Sequence, residues 1–490
     1  MDARVDVDHE AGWYGRTAEA PQRFPALTFD LDVDVCVVGG GFAGLTTALE
    51  VARRGWSVAL LEAKQIAGAA SGRNLGFVLP GFQQDIERIV ERCGLDHAKI
   101  LWALSEDGVE YVRTIIQDMP GVDPVDGWLE VSKFDAADDL LPLIGLLGQE
   151  FGVAVEGWPV EQVRSVLKSD HYFHAIHFPR AFHIHPLNYA IGLINAAHAA
   201  GVRMFEDTPV ISIDPTGVRK RVATPAGRVR ANHIVLAANT ELGRVAPELA
   251  QTLLPLTTYT AVTEPIGEKL VHAVAYRGAV SDSQSSDYHY RIVGGDRLMW
   301  SGGATTWQAD PAPYGPWLKQ AIERTYPQLG TVEISDVWAG TMGFTVHRMP
   351  QIGEVRPGVW LASGFGGHGL NTTAMAGTLL ARAIVENDDA WRLFLPYDLV
   401  WAGGTLGRAV RQSASWWKRT RISLVARGAQ RRQAQERADA EADAREMALR
   451  ERVQPHESVT DSPPAPSHPQ GEASEQQSAE KETDAPVNPA

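Results

Sequence analysis

Cysteine is almost missing from this chain, with only Cys36 and Cys93 among 490 residues. So few thiols exclude a disulfide framework or a thiolate metal cluster, so no metal site is expected, and the scarcity fits a reducing compartment. No run of about 18 apolar residues occurs, and no membrane span is expected. The opening Met-Asp-Ala-Arg-Val-Asp lacks the apolar core of a signal or transit peptide, so a cytoplasmic location is expected. Positive charge is in deficit: 45 Lys and Arg stand against 60 Asp and Glu, for a net charge of −15. That balance excludes nucleic acid as a partner, because phosphate binding draws on concentrated Lys and Arg. A hydrophobic content of 44% over this length is enough for a large core and implies two intertwined domains.

Against these absences stands one informative stretch, Asp34 to Gly44, which reads DVCVVGGGFAG. A β-branched run (Val33, Val35, Val37, Val38) suits a buried parallel strand, and Leu45, Ala48, Leu49 and Ala52 then recur at helical spacing up to Gly55. A second apolar run, Val58 to Leu61, closes on Glu62. Strand, glycine turn, helix, strand and acid in this order are the pattern of an adenine dinucleotide site. Gly39 serves the turn, Gly41 the approach of a pyrophosphate, and Gly44 the contact of helix with strand, while Glu62 is placed to accept from ribose hydroxyls.

Further along, helix patterns between about 83 and 120 and between 137 and 168 flank a strand at 127–131. A helix runs from Pro186 to Gly201, strands follow at 210–213 and 233–239, and a β-rich block at 251–334 includes the alternation Tyr288 to Ile292. Trp360 to Asn371 then repeats the strand, glycine loop and helix arrangement. Two such units imply one extended cofactor held from both ends. Residues 428–452 read as a solvated helix, and from Pro455 the Pro, Ser, Glu and Gln composition reads as a disordered tail.

Several segments carry a family resemblance over residues 10–425: Trp13-Tyr14, the GGGFAG turn, Gly68 to Gly76 (GAASGRNLG), His183 to Leu187, Tyr290-Arg291, Trp338-Ala339-Gly340, Thr345 to Pro350, and GFGGHGLN at 364–371. With these the chain resembles the D-amino-acid-oxidase-like superfamily of flavin-dependent amine oxidoreductases, and within it the gamma-glutamylputrescine oxidases. The fold implied is α/β (α+β overall), a Rossmann-like FAD-binding domain from 30–82, 182–250 and 335–396 interleaved with a mixed β-sheet substrate domain from 83–181 and 251–334. A C-terminal helical segment at 397–427 and the tail at 428–490 follow.

The resemblance implies FAD as cofactor. Gly39, Gly41, Phe42, Ala43, Gly44, Glu62 and Ala63 would hold its ADP half, and Ser71, Gly72, Arg73 and Asn74 would run along the pyrophosphate and flavin. Val210 would meet the adenine, Ala238 would flank the phosphates, and Gly364, Gly366, Gly367, His368, Gly369 and Leu370 would lie by the ring. Neither cysteine falls in the C-terminal loop where some relatives link the flavin, so attachment is expected to be noncovalent. Candidate catalytic residues are His368, Tyr290 and Arg291, with Tyr290 equally readable as sheet packing and His183 read as fixing a turn. Trp416 and Trp417, beside Lys418, Arg419 and Arg421, are readable as contact with a membrane surface or as packing of the family's C-terminal helix, and packing is the reading preferred.

The activity implied is oxidation of the carbon next to a primary or secondary amine of a small molecule, with O2 or another electron acceptor taking the electrons. Two other functions stay open. One is an amino-acid or N-methyl-amino-acid oxidase or dehydrogenase, for which Arg291 or Arg348 would pair with a carboxylate. The other is an accessory flavoprotein that recruits a partner through its tail.

Overall fold

The computed structural model describes residues 12–135, 137–282 and 288–412, together with Ala442 and Arg445. Its centre is the strand Leu31–Val38, whose side chains alternate between two cores. Val35 and Val37 enter one apolar cluster with Leu45, Leu49, Trp360 and Leu379, and Cys36 and Val38 enter another with Leu236, Leu249 and Leu361. A strand segment buried on both faces needs apolar residues at every position, which is why its second half, Val35 to Val38, is apolar throughout while Asp32 and Asp34 fall in the more open first half.

The strand pairs in parallel with Val58–Leu61 on one side and Arg228–Leu236 on the other. Arg203–Phe205 and Val359–Ser363 extend the parallel core, and Gln351–Arg356 adds an antiparallel edge, within an eight-stranded sheet. Helices Phe42–Arg53 and Gly369–Glu386 pack on the same face of this sheet, and Leu95–Ile115 packs against the latter. Both glycine loops thereby lie at the C-terminal ends of parallel strands, the usual position for ligands of open α/β sheets.

A second sheet of nine strands takes the order 334–344, 254–263, 297–305, 289–293, 279–282, 125–131, 175–183, 77–78, with Glu156–Trp158 also pairing to 175–183. Its far face carries a separate core of Tyr259, Tyr290, Trp300, Leu318 and Tyr326.

Several boundaries differ from the sequence reading. Ile334–Phe344 pairs along its length with Leu254–Thr263, so residues 335–344 belong to the second sheet and not to the nucleotide-binding half. Phe77–Val78 joins the second sheet as well. The segment 137–168 is broken into helix Ala137–Gly145, a wide turn at Leu146–Glu150, strand Glu156–Trp158 and helix Val160–Val166. Three residues with a central Gly157 are too short to display a period of two. Within 251–334, Glu268–Ala273 and Tyr314–Thr325 are helical. The strand expected at 210–213 is Ser212–Asp214, leaving Val210 in the approach to it.

In the C-terminal segment residues 404–412 are helical. Trp416, Trp417 and the expectations for 428–490 lie outside the described residues, apart from the helical, exposed Ala442 and Arg445, which fall in a second unit at 430–490. Among the described residues no helix is long and apolar enough to cross a membrane.

Candidate active site

At the first glycine loop, Gly39 has φ +112, and a Cβ there would stand 2.7 Å from the carbonyl carbon of Ala237. A Cβ on Gly44 would stand 2.0 Å from the carbonyl oxygen of Gly39, so the helix can approach the turn only without a side chain. Gly41 caps the helix with no side chain of its own, and the Ser71 hydroxyl accepts from the Phe42 amide at 3.0 Å. No acceptor among the described residues meets the amides of Gly41 and Ala43. The Glu62 carboxylate accepts from the amides of Gly40 (2.8 Å) and Lys64 (2.9 Å) and lies beside the turn. Burial raises its pKa, against the lowering by these amides and that of Ala63. Ala238 follows the strand that backs Gly39, and Val210 follows the Thr208 amide, which donates to the Glu62 carbonyl.

The segment 69–76 is pinned from both sides. Asn74 donates to the carbonyls of Ala70 and Ser71 and accepts from the Gly76 amide, the Gly72 amide donates to Ala67, and the indole of Trp338 donates to the Arg73 carbonyl at 2.9 Å. Ser71, Gly72, Arg73 and Asn74 thus join the first loop to the second sheet.

At the other glycine loop the amides of Gly364, Gly366 and Gly367 donate to Asn239, the Gly343 carbonyl and Gln83. These three amides are therefore engaged by the protein. Helix Gly369–Glu386 begins without a side-chain cap, and among the described residues no acceptor meets the amides of Gly369 and Leu370. Nδ1 of His368 is buried with no partner. Burial, and after it the neighbouring His289, holds the His368 pKa down at about 4, so the imidazole is neutral at neutral pH. Two helix starts without a side-chain cap of their own at the C-terminal ends of parallel strands of one sheet, with a glycine cradle at one and the unpartnered Nδ1 of His368 at the other, fit an extended anionic cofactor such as FAD.

The strand His289–Val293 separates the candidate catalytic residues by its pleat. Arg291 is buried, its Nη1 donates to Nδ1 of His183 at 2.8 Å, and its Nη2 donates to the Tyr14 hydroxyl at 3.2 Å. Its Nε has no partner, and no carboxylate lies within 4.0 Å of the guanidinium among the described residues. His183 in turn bonds the Arg277 carbonyl, and burial together with Arg291 keeps its pKa near about 3. It therefore holds Arg291 as a neutral acceptor, a more specific task than fixing a turn. Two residues earlier on the same face, His289 meets the hydroxyl of Ser281, which also accepts from the Trp128 indole.

Tyr290 points the other way. It is fully buried, stacks on Trp300 at 4.1 Å and shares a 2.7 Å hydrogen bond with Tyr326. The structure therefore places His289, the neighbour of His368, on the same strand face as Arg291, and puts Tyr290 in the opposite core. Arg348, the other candidate for a carboxylate, sits at φ +59 and has no ion pair among the described residues.

Sequence reasoning missed Gln83, which reaches the second glycine loop from an irregular segment, and His289 and Glu130, which have no local motif and come near each other only through strand register. Glu130 stands opposite Ser281, and Ser281 stands opposite His289. Burial, then Asp85 and Glu87, raises its pKa to about 7. A carboxyl whose folded pKa exceeds its unfolded one carries no penalty below pH about 4.5 and its full penalty above about 7. Glu130→Gln should therefore stabilise the protein by about 2–3 kcal/mol at pH 8 and hardly at all at pH 4.5. Denaturant melts at the two pH values check this, and an equal effect at both would contradict it.

Comparison with known proteins agrees with this geometry. Residues 34–383 match the model of the DAO family, described as FAD dependent oxidoreductase. The chain is 32% identical over 392 residues to gamma-glutamylputrescine oxidoreductase of Escherichia coli K12, covering 79% of this chain and 92% of that protein. Among solved structures, L-proline dehydrogenase from P. horikoshii superposes with a TM-score of 0.63 at 19% identity, covering 75% of this chain and 98% of that one. Glycine oxidase from Geobacillus kaustophilus gives 0.61 at 20% identity, covering 76% and 99%.

Proposed function

Because the chain belongs to the DAO family of FAD-dependent oxidoreductases, which act on amine groups, we propose that it oxidises the carbon next to a primary or secondary amine in a gamma-glutamylputrescine-type substrate. The observation that carries this substrate class is the likeness to the Escherichia coli enzyme along 92% of its length. In this reading the amides of Gly41 and Ala43 bind the cofactor's phosphates, Glu62 its ribose, and the helix start at Gly369 and Leu370 the edge of its ring. When bound, FAD supplies the acceptor for the hydride that leaves the carbon next to nitrogen, and dioxygen, giving hydrogen peroxide, or another acceptor restores it. Attachment is noncovalent: Cys36 is enclosed in a strand with its thiol pushed up to about 12, and Cys93 ends the helix Ile86–Cys93.

An alkylammonium ionises near about 10.4 and must lose a proton before its hydride can leave. The chain assists by enclosure. His368 and His183 stay neutral and add no positive charge against the amine, while the buried aromatic and apolar wall disfavours the charged form. The imine released hydrolyses to an aldehyde in water.

One observation favours a second reading, in which the substrate is an amino acid or N-methyl amino acid: the buried guanidinium of Arg291 lacks an acidic partner among the described residues. A panel of gamma-glutamylputrescine, putrescine, sarcosine and D-amino acids, scored by anaerobic bleaching of the flavin, tests the choice. Gamma-glutamylputrescine is expected to bleach at the lowest concentration. Bleaching by amino acids alone would transfer the reading to the second class, and bleaching by no amine would end both.

A further inference from the structure

Glu130 lies on the face of the second sheet that carries His289 and Arg291, and the amine chemistry gives it no task. Ser281 is its partner across one strand boundary, and His289 is the partner of Ser281 across the next. Directly opposed residues of a sheet point to the same side. That side is fixed here, because the Trp128 indole and Nδ1 of His289 both reach the Ser281 hydroxyl at 2.9 Å, whereas Leu129, Val280 and Tyr290 at the alternate positions enter the other core. Glu130 therefore shares a face with His289, the neighbour of His368. Asp85, whose charge acts on Glu130, stands two residues after Gln83, whose side chain accepts from the Gly367 amide at 2.8 Å. Strand register and this segment thus bring Glu130 to the second glycine loop by separate routes.

Its surroundings favour a cation. Glu130 lies deep among protein atoms yet is only half-buried, as are His289 and His368, so it opens onto a recess inside the protein. Among the described residues neither a hydrogen-bond donor nor a cation meets its carboxyl, and its charged neighbours are the acids Asp85 and Glu87. An ammonium entering the recess would offset both the lost hydration and the repulsion. Length selects which ammonium. Two strand spacings place Glu130 roughly 10 Å from His289. In gamma-glutamylputrescine about nine bonds, the length of about three residues of extended chain and so roughly 10 Å, separate the carbon to be oxidised from the α-ammonium of the glutamyl end. We propose that Glu130 is a specificity-determining residue that binds this second ammonium, with the amine to be oxidised held beside His289 and His368 and the chain between them laid along Ser281. This assignment rests on the amine reading given above.

Steady-state kinetics of the full-length, FAD-loaded protein at pH 8 test it with gamma-glutamylputrescine and with glutarylputrescine, which has hydrogen in place of the α-amino group. The parent should show a KM at least about tenfold lower for gamma-glutamylputrescine. Glu130→Gln, expected above to be the more stable protein at this pH, should raise that KM to the value for glutarylputrescine with kcat held within about twofold, and should move the KM for glutarylputrescine by less than about twofold. Glu130→Asp, which keeps the charge, should restore part of the preference. Equal KM values for the two amines in the parent, or a Glu130→Gln variant that raises both alike or neither, would overturn the proposal and leave amine oxidation standing. Oxidation of neither amine by the parent would overturn the reading and the proposal together.

Discussion

Gly44→Val is expected to yield a protein that keeps its secondary structure and retains no FAD through desalting, with amine oxidation lost alongside. A Cβ at this position would lie 2.0 Å from the Gly39 carbonyl oxygen, far inside any tolerated contact. Two further methyl groups deepen the overlap. The helix Phe42–Arg53 carries Leu45, Ala48 and Leu49 into the main core, so it cannot tilt away freely. Relief must come from the turn, which moves the amides of Gly41 and Ala43 out of line with a pyrophosphate. Overpacking of this kind costs about 1–3 kcal/mol in stability, while loss of aligned donors to a charged group costs at least about tenfold in affinity. Gly145→Ala, where an added Cβ meets nothing within 4 Å, is the control and should bind FAD as the parent does. Flavin absorbance per chain and circular dichroism read the outcome, and parental flavin content in Gly44→Val would refute the placement of the phosphates.

The second large effect is acid lability. His183, His185 and His368 have their pKa values held down to about 3, about 4 and about 4, in each case by burial first. For the first two Arg291 is the next cause, and for His368 it is His289. A histidine whose folded pKa lies below the ordinary 6.5 is neutral when folded and takes up a proton on unfolding. Its contribution is therefore complete above pH 6.5 and disappears as pH falls through the folded value, at about 1.4 kcal/mol per pH unit per group. Carboxyls that burial raises, Glu130, Glu62, Glu106 and Asp282, oppose this trend, while His171, His233 and His347, also held down by burial, add to it. The protein should lose several kcal/mol between pH 6.5 and 4.5, before the paired carboxylates begin to titrate. Thermal melts across that range check it, and a Tm that stays level or rises would contradict the three neutral imidazoles.

How much of this was legible in the sequence depended on whether a feature was local. The first loop could be read because Gly39, Gly44 and the strand Leu31–Val38 before them are contiguous in the chain. The loop at 364–371 could be placed for the same reason, yet not its hydrogen bonding, because Asn239, Gly343 and Gln83, which engage three of its amides, are distant in the chain. Tyr290 and Arg291 were read together from adjacency. In a strand adjacency means opposite faces, and the stacking of Tyr290 on Trp300 could be known only once Arg297–Thr305 was seen to be its neighbour. Ile334–Phe344 went to the wrong half because its partner, Leu254–Thr263, lies some eighty residues earlier. Glu130 had no motif at all, and its place near His289 is set by register across three strands.

The central claim is that two distant glycine loops hold the ends of one FAD without a covalent bond. Its most direct test is the visible spectrum of the full-length protein after incubation with FAD and desalting, followed by acid precipitation. The account predicts flavin bands corresponding to about one FAD per chain, all released into the supernatant on precipitation. A protein that remains colourless after incubation, or a flavin that stays with the precipitate, would contradict it.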